Sequence, residues 1–418
     1  MTPEARFAGV MAGLFPATGP ARLGLAVSGG GDSIALMHLA AGWARRDTLH
    51  VATVDHGLRP QAAQEAREVA RMARVLGLPH TTLHWGGWDG HGNLQDAART
   101  ARRDLLATWA QGKGLDAVLL GHTEDDQAET VLMRLARGSG VDGLAAMAPH
   151  SDAHGVTWLR PLLGHTRAEL RDWLRGRGIG WIDDPSNDNP AFDRIKARQM
   201  LTHLDALGLT RARLAQTAQH MQDARAVLET ATDAAARNLM RVEHGDIVLD
   251  AAGLDALPHE TRHRLVARAL CCVASTPFRP RLGALRAALS ATTATLHGCL
   301  LTRNARVLRI TREAQAVAHK RAPLGTVWDH RWTVYPPDGA ATDDMEIGAL
   351  GASGLAACPD RARWCLPRRS LLASPAVWQG TRLIAAPLAG LAPEWRAFAH
   401  DSAPRITPQG SFALNVSL

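Results

Sequence analysis

Ser28-Gly29-Gly30-Gly31-Asp32-Ser33 is the stretch that decides the fold of this chain. The apolar run Leu23 to Val27 precedes it and the helical pattern Ile34 to Ala44 follows it, which predicts strand, tight loop and helix. A helix start offers unpaired N–H groups and a positive dipole end, and both attract phosphate. Glycines let the backbone approach an anion without Cβ interference, while the hydroxyls and the Asp32 carboxylate add polar groups. We therefore expect a phosphate-binding loop; an ordinary glycine turn is the alternative.

The first half of the chain alternates strand and helix patterns. We predict strands at Leu23 to Val27, Leu49 to Val54, Pro79 to Leu83 and Ala117 to Leu120. Helical patterns lie at Ile34 to Ala44, Ala62 to Leu76, Asn93 to Trp109 and Asp125 to Ala136. This alternation predicts the α/β class with a doubly wound parallel sheet, in which ligands bind beyond the carboxyl ends of the strands. Three strands end in motif residues, at Ser28, Asp55 and Gly121, which indicates one shared site.

The rest of the chain changes character, and we predict three domains. Residues 1–200 form the α/β domain, residues 201–322 a mostly helical domain and residues 323–418 a small β-rich domain. The middle part has helical patterns at Leu201 to Leu239, Thr261 to Val273 and Leu282 to Ser290, a strand at Gly245 to Leu249 and a hairpin at Cys299 to Thr311. The last part is rich in Pro, Gly and Trp with short strand-like runs.

Asp55 and His56 end the second strand. Their position predicts that they face a nucleotide crevice. The alternative is a capping Asp followed by a turn glycine, Gly57.

An acidic segment follows the fourth strand, from Gly121 to Thr130. It carries Glu124, Asp125, Asp126 and Glu129, which repel one another unless a cation compensates. We interpret them as carboxylates that bridge ATP phosphates through magnesium. The alternative is that they are ordinary partners of a helix dipole. His122 is a candidate for acting on the reacting base or on pentacovalent phosphorus, and a structural histidine is the alternative.

Two more patterns carry polar groups. Arg99 and Arg102 share a helix face and suit a phosphate or carboxylate, with a solvated face as the alternative. The loop Arg137 to Leu144 suits the covering of a polar substrate, with a plain helix C-cap at Gly138 as the alternative.

Composition narrows the class of protein. The 418 residues are 46% hydrophobic and 21% charged, with net charge +7 and only three lysines, so arginine dominates the basic residues. Arginine suits phosphate contacts, although a codon preference explains it equally well. The five cysteines all lie after residue 270 without a C-x-x-C pair, which argues against a disulfide framework or zinc site. No signal peptide or membrane span is evident, so we expect a cytoplasmic protein with no membrane partner.

The motifs together resemble a known family. The loop at 28–33 is similar to that of the N-type ATP pyrophosphatases, or PP-loop proteins. Further motifs appear in the order and spacing seen in bacterial tRNA(Ile)-lysidine synthases: Val54 to Arg59, Asn93 to Arg99, Gly121 to Thr130, Arg137 to Leu144, Arg160 to Leu163 and Asp183 to Asn187. They cover about residues 22 to 200. Gly298 to Asn304 resembles the family's C-terminal region more weakly.

The resemblance implies a reaction and its site. ATP would adenylate the C2 oxygen of the cytidine at the first anticodon position of an isoleucine tRNA, and free L-lysine would then displace AMP. The implied catalytic residues are Asp32, His122, Asp125, Asp126 and Arg194. The implied nucleotide ligands are Ser28, Gly29, Gly30, Gly31, Asp32, Ser33, Asp55 and His56. The implied Mg²⁺ ligands are Asp32 and Asp126. Residues 1–200 would be the PP-loop catalytic domain, and arginines of residues 201–322 and 323–418 would bind tRNA phosphates. Partners would be ATP, lysine and the tRNA(Ile) anticodon loop, with a homodimer left open.

One segment departs from the family, and two other functions compete. Where the family usually carries Arg-Asn-Arg-Ile-Arg, this chain has Phe192-Asp193-Arg194-Ile195-Lys196, so it would rely on Arg194, Lys196 and Arg198.

A PP-loop tRNA thiolase is the nearest alternative, but such enzymes generally use cysteines near the catalytic domain and this chain has none before Cys271. The other alternative is a non-catalytic nucleotide- or RNA-binding protein, which would tolerate loss of the acidic segment.

Overall fold

The structure is a computed structural model. It describes residues 1–14, 21–58, 61–88, 90–91, 93–183, 193–340, 342–359 and 361–400, and the backbone of 405–406 and 412–413. The chain divides into two compact units, residues 1–226 and 227–418.

The first unit is built on a six-stranded sheet in the order β3-β2-β1-β4-β6-β5. Five strands are parallel, and β5 pairs antiparallel with β6 at the edge. The strands are β1 (Leu23–Ala26), β2 (Leu49–Asp55), β3 (His80–His84), β4 (Ala117–Leu120), β5 (His150–Ala153) and β6 (Val156–Leu159). The predicted doubly wound α/β sheet is confirmed, with the hairpin β5–β6 as an unpredicted addition.

The central strands are apolar because the sheet is covered on both faces. All four residues of β1 are buried, and β1 pairs with β2 on one side and β4 on the other. Leu25, Ile34 and Leu119 lie in the largest core cluster of this unit and are fully buried. Parallel strands buried on both faces read as continuous apolar runs, which is why β1, β2 and β4 were evident from sequence. The strand β3 was also predicted, although it is only half-buried and carries no continuous apolar run.

Each of the four helical patterns predicted between residues 34 and 136 is confirmed by a helix, and the described part of the first unit also has helices that the sequence did not predict. The helices are α1 (Pro3–Leu14), α2 (Gly31–Trp43), α3 (Ala62–Val75), α4 (Leu94–Lys113), α5 (Glu124–Ala136), α6 (Val141–Leu144), α7 (Arg167–Arg175) and α8 (Asp193–Leu204), followed by α9 (Arg211–Leu239). Asn93 caps α4 by accepting from Gln95 N–H at 2.9 Å, and Gly114 ends it at φ +60°. The predicted helix at Leu201 to Leu239 is two helices, because α8 ends at Leu204 and Gly208 takes φ +76° between them.

The described part of the second unit contains a five-stranded and a four-stranded antiparallel sheet and two further antiparallel pairs of strands. Its strands are β7 (Met240–Glu243), β8 (Asp246–Asp250), β9 (Thr293–Leu296), β10 (Cys299–Arg303), β11 (Val307–Arg312), β12 (Arg321–Pro323), β13 (Trp332–Tyr335), β14 (Met345–Ala349), β15 (Pro375–Gln379), β16 (Arg382–Ala385), β17 (Arg396–Ala399), β18 (Arg405–Ile406) and β19 (Phe412–Ala413). The sheet β7-β8-β11-β10-β9 has five strands, and the sheet β12-β14-β15-β16 has four.

Helices complete both halves of the second unit. They are α10 (Ala251–Ala256), α11 (His259–Ala274), α12 (Leu282–Ser290), α13 (Ala314–Val317), α14 (Gly351–Ala356) and α15 (Arg368–Leu371). The middle part thus holds a five-stranded sheet besides its helices, of which the sequence indicated only β8 and the hairpin β10–β11. The β-rich character expected of the last part is confirmed.

Buried polar contacts join the two halves of the second unit. Arg331 is 3% exposed and donates to the carbonyl oxygens of Val273, at 2.9 Å, and of Gly245. The Ser370 hydroxyl donates to buried Asp246 at 2.6 Å. The predicted boundaries at 200/201 and 322/323 stay a prediction. Among the described residues, no helix has the length and apolar character needed to cross a bilayer.

Candidate active site

The candidate site lies where the strand order of the first sheet reverses. β2 and β4 flank β1 on opposite sides, and the loops after β1 and β4 therefore open a crevice at their carboxyl ends. A Cβ added to Gly121 would lie 3.1 Å from the carbonyl oxygen of Asp32. The loop after β4 thus passes directly against the start of α2, and only a residue without a side chain allows this approach.

The loop at 28–33 has the geometry expected of an anion-binding turn. Gly29 takes φ +96°, and a Cβ there would lie 2.7 Å from Ile182 Cδ1. Gly30 precedes α2 without any side-chain cap, which leaves N–H groups of the first helical turn to an anion. The Ser33 hydroxyl closes the loop, because it donates to Gly30 O at 2.8 Å and accepts from Ser28 N–H at 3.2 Å.

A cavity of about 360 Å³ opens beside this loop, large enough for a nucleoside. Its lining residues come from the ends of β1 and β2 and from α3 and α4, and they include Val27, Ser28, Gly30, Val54, His56, Arg102 and Ile182. Asp55 is absent from the described residues that line it. The Asp55 carboxylate instead accepts from Gly57 N–H at 2.9 Å, as in the capping alternative.

The acidic segment begins α5 with a capping box. The Asp126 carboxylate accepts from Thr123 N–H at 2.8 Å and from the Thr123 hydroxyl at 3.0 Å through the same oxygen, Oδ2. Asp126 and Glu129 are both buried, and Glu129 is only 1% exposed. Buried carboxylates so close together require compensation by cations.

Arginines supply that compensation. Arg167 contacts Asp32, Asp126 and Glu129 at 3.1, 3.1 and 3.3 Å. Its backbone N–H also donates to Asp125 at 2.7 Å. Sequence reasoning missed Arg167, since nothing in its local pattern shows that its guanidinium returns to the loop after β1.

Two arginines of α8 complete the cluster around Glu129. Arg194 Nε lies 2.9 Å from Glu129 Oε2, and Arg198 Nε lies 2.9 Å from Glu129 Oε1. Arg194 also lies 3.5 Å from Asp126. Lys196 points elsewhere and pairs with exposed Asp193 at 3.7 Å. Of the altered segment, Phe192 lies outside the described residues, and Arg194 with Arg198 reaches the acidic helix.

Asp125 lies at the edge of the cluster. Its second oxygen is 3.3 Å from Arg211 Nε at the start of α9, a contact that sequence reasoning also missed. The Asp125, Asp126 and Glu129 carboxylates are therefore all engaged by arginines. A ligand ammonium group that binds any of these carboxylates would have to share it with an arginine.

Burial and charge shift the acidic groups in opposite directions. Burial raises the pKa of Asp32 above its ordinary value; Arg167 opposes this effect and Asp126 adds to it. Burial also acts to raise the pKa of Asp126, but Arg194 and Arg167 outweigh it and leave that pKa lowered. Asp126 is thus ionised at neutral pH, whereas ionisation of Asp32 is less favourable in the folded protein than in water.

His122 is neutral in this site. Burial lowers its pKa to about 3; Asp126 opposes this shift, while Arg160 and Arg102 reinforce it. Its Nδ1 is buried and has no hydrogen-bond partner among the described residues. A neutral imidazole can donate or accept a hydrogen bond there, but it is a weak base.

The donor set fits a divalent ion only in company with substrate phosphates. No group of three or more His, Cys, Asp or Glu side chains is arranged to hold a metal among the residues that the structure describes. However, Asp32 Oδ1 is buried without a hydrogen-bond partner, whereas both Asp126 oxygens are engaged. Mg²⁺ commonly uses one or two carboxylates plus phosphate oxygens, so Asp32 fits it best and Asp126 could contribute only by sharing Oδ1.

Comparison with known proteins identifies the family. Residues 3–204 match the PP-loop domain family. The chain is 50% identical over 389 residues, 92% of each chain, to the tRNA(Ile)-lysidine synthase of Ruegeria pomeroyi. This chain belongs to the tRNA(Ile)-lysidine synthase family. The family resemblance expected from the motifs is thereby confirmed.

Further relatives agree with this family. The tRNA(Ile)-lysidine synthase of Bradyrhizobium diazoefficiens is 47% identical over 257 residues, covering 59% of this chain and 71% of that protein. Among solved structures, the U34-tRNA thiolase NcsA of Methanococcus maripaludis matches with TM-score 0.44 and 16% identity, over 52% of this chain and 78% of that chain. A likeness so distant carries no functional information.

Proposed function

We propose that this chain joins L-lysine to C2 of the cytidine at the first anticodon position of an isoleucine tRNA. ATP adenylates the C2 oxygen with release of pyrophosphate, and the lysine ε-amine then displaces AMP and forms the C–N bond. The 50% identity to a tRNA(Ile)-lysidine synthase over 92% of each chain carries this proposal. The phosphate-type loop and acidic helix at one crevice support it independently.

Adenylation needs positioning more than covalent chemistry. The uncapped start of α2 suits the phosphates, and the cavity beside Val54 and His56 suits the adenosine. Asp32, with Asp126 sharing, would hold Mg²⁺, which neutralises phosphate charge when bound. Arg194 contacts Asp126 and Glu129, which supports a role in meeting the charge that develops on the transferring phosphate.

His122 acts in this scheme as a neutral hydrogen-bonding group. A pKa of about 3 makes it a poor acceptor of the proton that the lysine amine loses. We assign it to hydrogen bonding with the cytidine or the phosphoryl oxygens. For the lysine ammonium, Asp125, Asp126 and Glu129 would share with arginines, and Asp142, exposed on α6, is the fourth candidate.

The tRNA would meet arginine-rich surfaces of both units. The anticodon loop presents a single-stranded base that a pocket can read, while arginines neutralise the backbone phosphates. A cytoplasmic location follows from these substrates. The oligomeric state, including a homodimer, is a separate question that light scattering resolves.

Pyrophosphate release in multiple turnover tests the proposal. We expect release that requires tRNA(Ile) and lysine together and that ceases when either is left out. Release that ignores lysine, or incorporation of sulfur into the tRNA, would contradict it and favour the thiolase. No release under any condition, despite ATP binding, would favour the non-catalytic alternative.

A further inference from the structure

Arg167 is anchored by its backbone to the start of the acidic helix. It is the first residue of α7, and Thr166 caps that helix by accepting from Glu169 N–H at 3.1 Å. The Arg167 N–H donates to Asp125 Oδ2 at 2.7 Å, and Glu124 N–H donates to His165 O at 2.9 Å. These contacts fix where the Arg167 side chain departs.

The Arg167 guanidinium joins carboxylates from two separate elements. Nε meets Asp32 Oδ2 on α2 at 3.1 Å, while Nη2 and Nη1 meet Asp126 and Glu129 on α5 at 3.1 and 3.3 Å. Its side chain is only 16% exposed. Three other arginines also contact carboxylates of α5: Arg194, Arg198 and Arg211. Among the described residues, none of these three forms an ion pair with Asp32.

These contacts leave one specific oxygen uncommitted. Arg167 occupies Asp32 Oδ2, and Oδ1 stays buried without a hydrogen-bond partner. A planar guanidinium with five N–H groups can hold three carboxylates in fixed directions, which a spherical ammonium cannot. The geometry therefore sets both the spacing between α2 and α5 and the direction of the free Asp32 oxygen.

We propose that Arg167 is a positioning residue for adenylation, which holds Asp32 against the α5 carboxylates so that Asp32 Oδ1 faces the cation accompanying ATP. This inference rests on the proposed function. In this role Arg167 does not contact the substrate, and it affects the reaction by fixing the positions of the carboxylates.

Two lesser roles make different predictions. If Arg167 only neutralises charge, its removal strengthens cation binding and spares the rate. If it only supports the fold, its removal lowers stability and weakens every ligand alike. A positioning role predicts a third result. Without Arg167, the carboxylates bind a cation more tightly, but the adenylation rate falls because Asp32 is no longer held in position.

The test compares Arg167→Gln and Arg167→Lys with the full-length wild type. Arg175→Gln is the matched control, since Arg175 lies on the same helix, is 61% exposed and pairs with Asp172. For Arg167→Gln we expect Mn²⁺ binding to the free enzyme to tighten roughly tenfold by calorimetry. We also expect kcat of pyrophosphate release to fall about 100-fold, with KM for ATP within about threefold of wild type. The kcat and Mn²⁺ affinity of Arg167→Lys should lie between those of wild type and Arg167→Gln, and those of Arg175→Gln should match wild type.

Three results would overturn the inference. They are an unchanged kcat, weakened Mn²⁺ binding together with a lowered melting temperature, and a Lys variant identical to wild type. If Arg167→Gln fails to fold, the Lys variant alone decides, because it retains the charge and loses the planar fork. Failure of the proposed function is distinguishable, since the wild type itself would then release no pyrophosphate while its Mn²⁺ binding remained measurable.

Discussion

At the scale of single residues, the site contains a carboxylate whose ionisation is disfavoured by burial, Asp32, and a neutral imidazole, His122. Asp32 is nearly buried, and its raised pKa shows that burial outweighs the help it receives from Arg167. Active sites commonly hold groups that lower the stability of the fold. Two predictions follow at this scale, one for Asp32 and one for His122.

Asp32→Asn should abolish adenylation and raise the melting temperature by a few degrees at pH 8, because the buried charge is removed. The sign follows from the raised pKa: the ionised carboxyl destabilises the folded state at pH above that pKa, and the penalty disappears as pH falls through it. Differential scanning calorimetry at pH 8 and pH 5 measures this effect. Asp47→Asn is the control at an exposed site. A lower melting temperature for Asp32→Asn at pH 8 would refute this account of Asp32.

His122→Gln should reduce the acid sensitivity of the fold. The unfolded chain binds a proton at His122 near pH 6.5, and the folded chain does so only near pH 3, so wild-type stability falls as pH decreases through this window. The melting temperatures of wild type and variant should therefore converge, or cross in favour of the variant, between pH 7 and pH 5. A constant difference across that range would show that His122 titrates normally.

At the scale of elements, α8 is held against α5 through buried Glu129. Arg194 and Arg198 approach its two oxygens from α8, and Arg167 approaches from α7. Neutralising Glu129 leaves three guanidinium groups without their shared anion in a poorly solvated place. Breaking one side of such a buried pair costs several kcal/mol.

Glu129→Gln should destabilise the chain by roughly 3–5 kcal/mol and lower the midpoint of urea unfolding. Lys196→Gln is the control on the same segment, because Lys196 is exposed and pairs with exposed Asp193, and it should change stability by less than about 0.5 kcal/mol. Equal midpoints for the two variants would mean that Glu129 is not the anion on which α8 docks.

The elements also show how far sequence alone could go. Apolar runs and glycine loops predicted β1, β2, β4 and the start of α2, since burial and backbone freedom are local signals. The cluster could be predicted only in part: Asp32, Asp126 and Arg194 belong to recognisable motifs, whereas Arg167 and Arg211 meet the carboxylates through tertiary packing. The hairpin β5–β6 was missed because its β5 residues, His150 to Ala153, are only half-buried and carry no apolar run.

At the scale of the whole molecule, the second unit offers exposed arginines to a polyanion. Arg363, Arg368 and Arg369 are all exposed, within a few residues of one another. Since arginine neutralises phosphates and releases counterions, we expect these arginines to contribute to tRNA affinity in a salt-dependent way.

Changing Arg363, Arg368 and Arg369 together to Gln should weaken tRNA binding and reduce the slope of log affinity against log salt by as much as about 3. The matched control changes Arg67, Arg71 and Arg74, which are exposed on α3. Filter binding over a salt series measures both slopes, and ATP affinity should be unaffected in either variant. Equal slopes for the two triple variants would assign the tRNA surface elsewhere.

The most direct measurement is the mass of tRNA(Ile) after incubation with the enzyme, ATP, Mg²⁺ and lysine. The account predicts that an anticodon fragment gains the mass of one lysine less one water, only when both ATP and lysine are present and not with Asp32→Asn. An unchanged mass with active, folded enzyme, or a gain of sulfur in place of lysine, would contradict it.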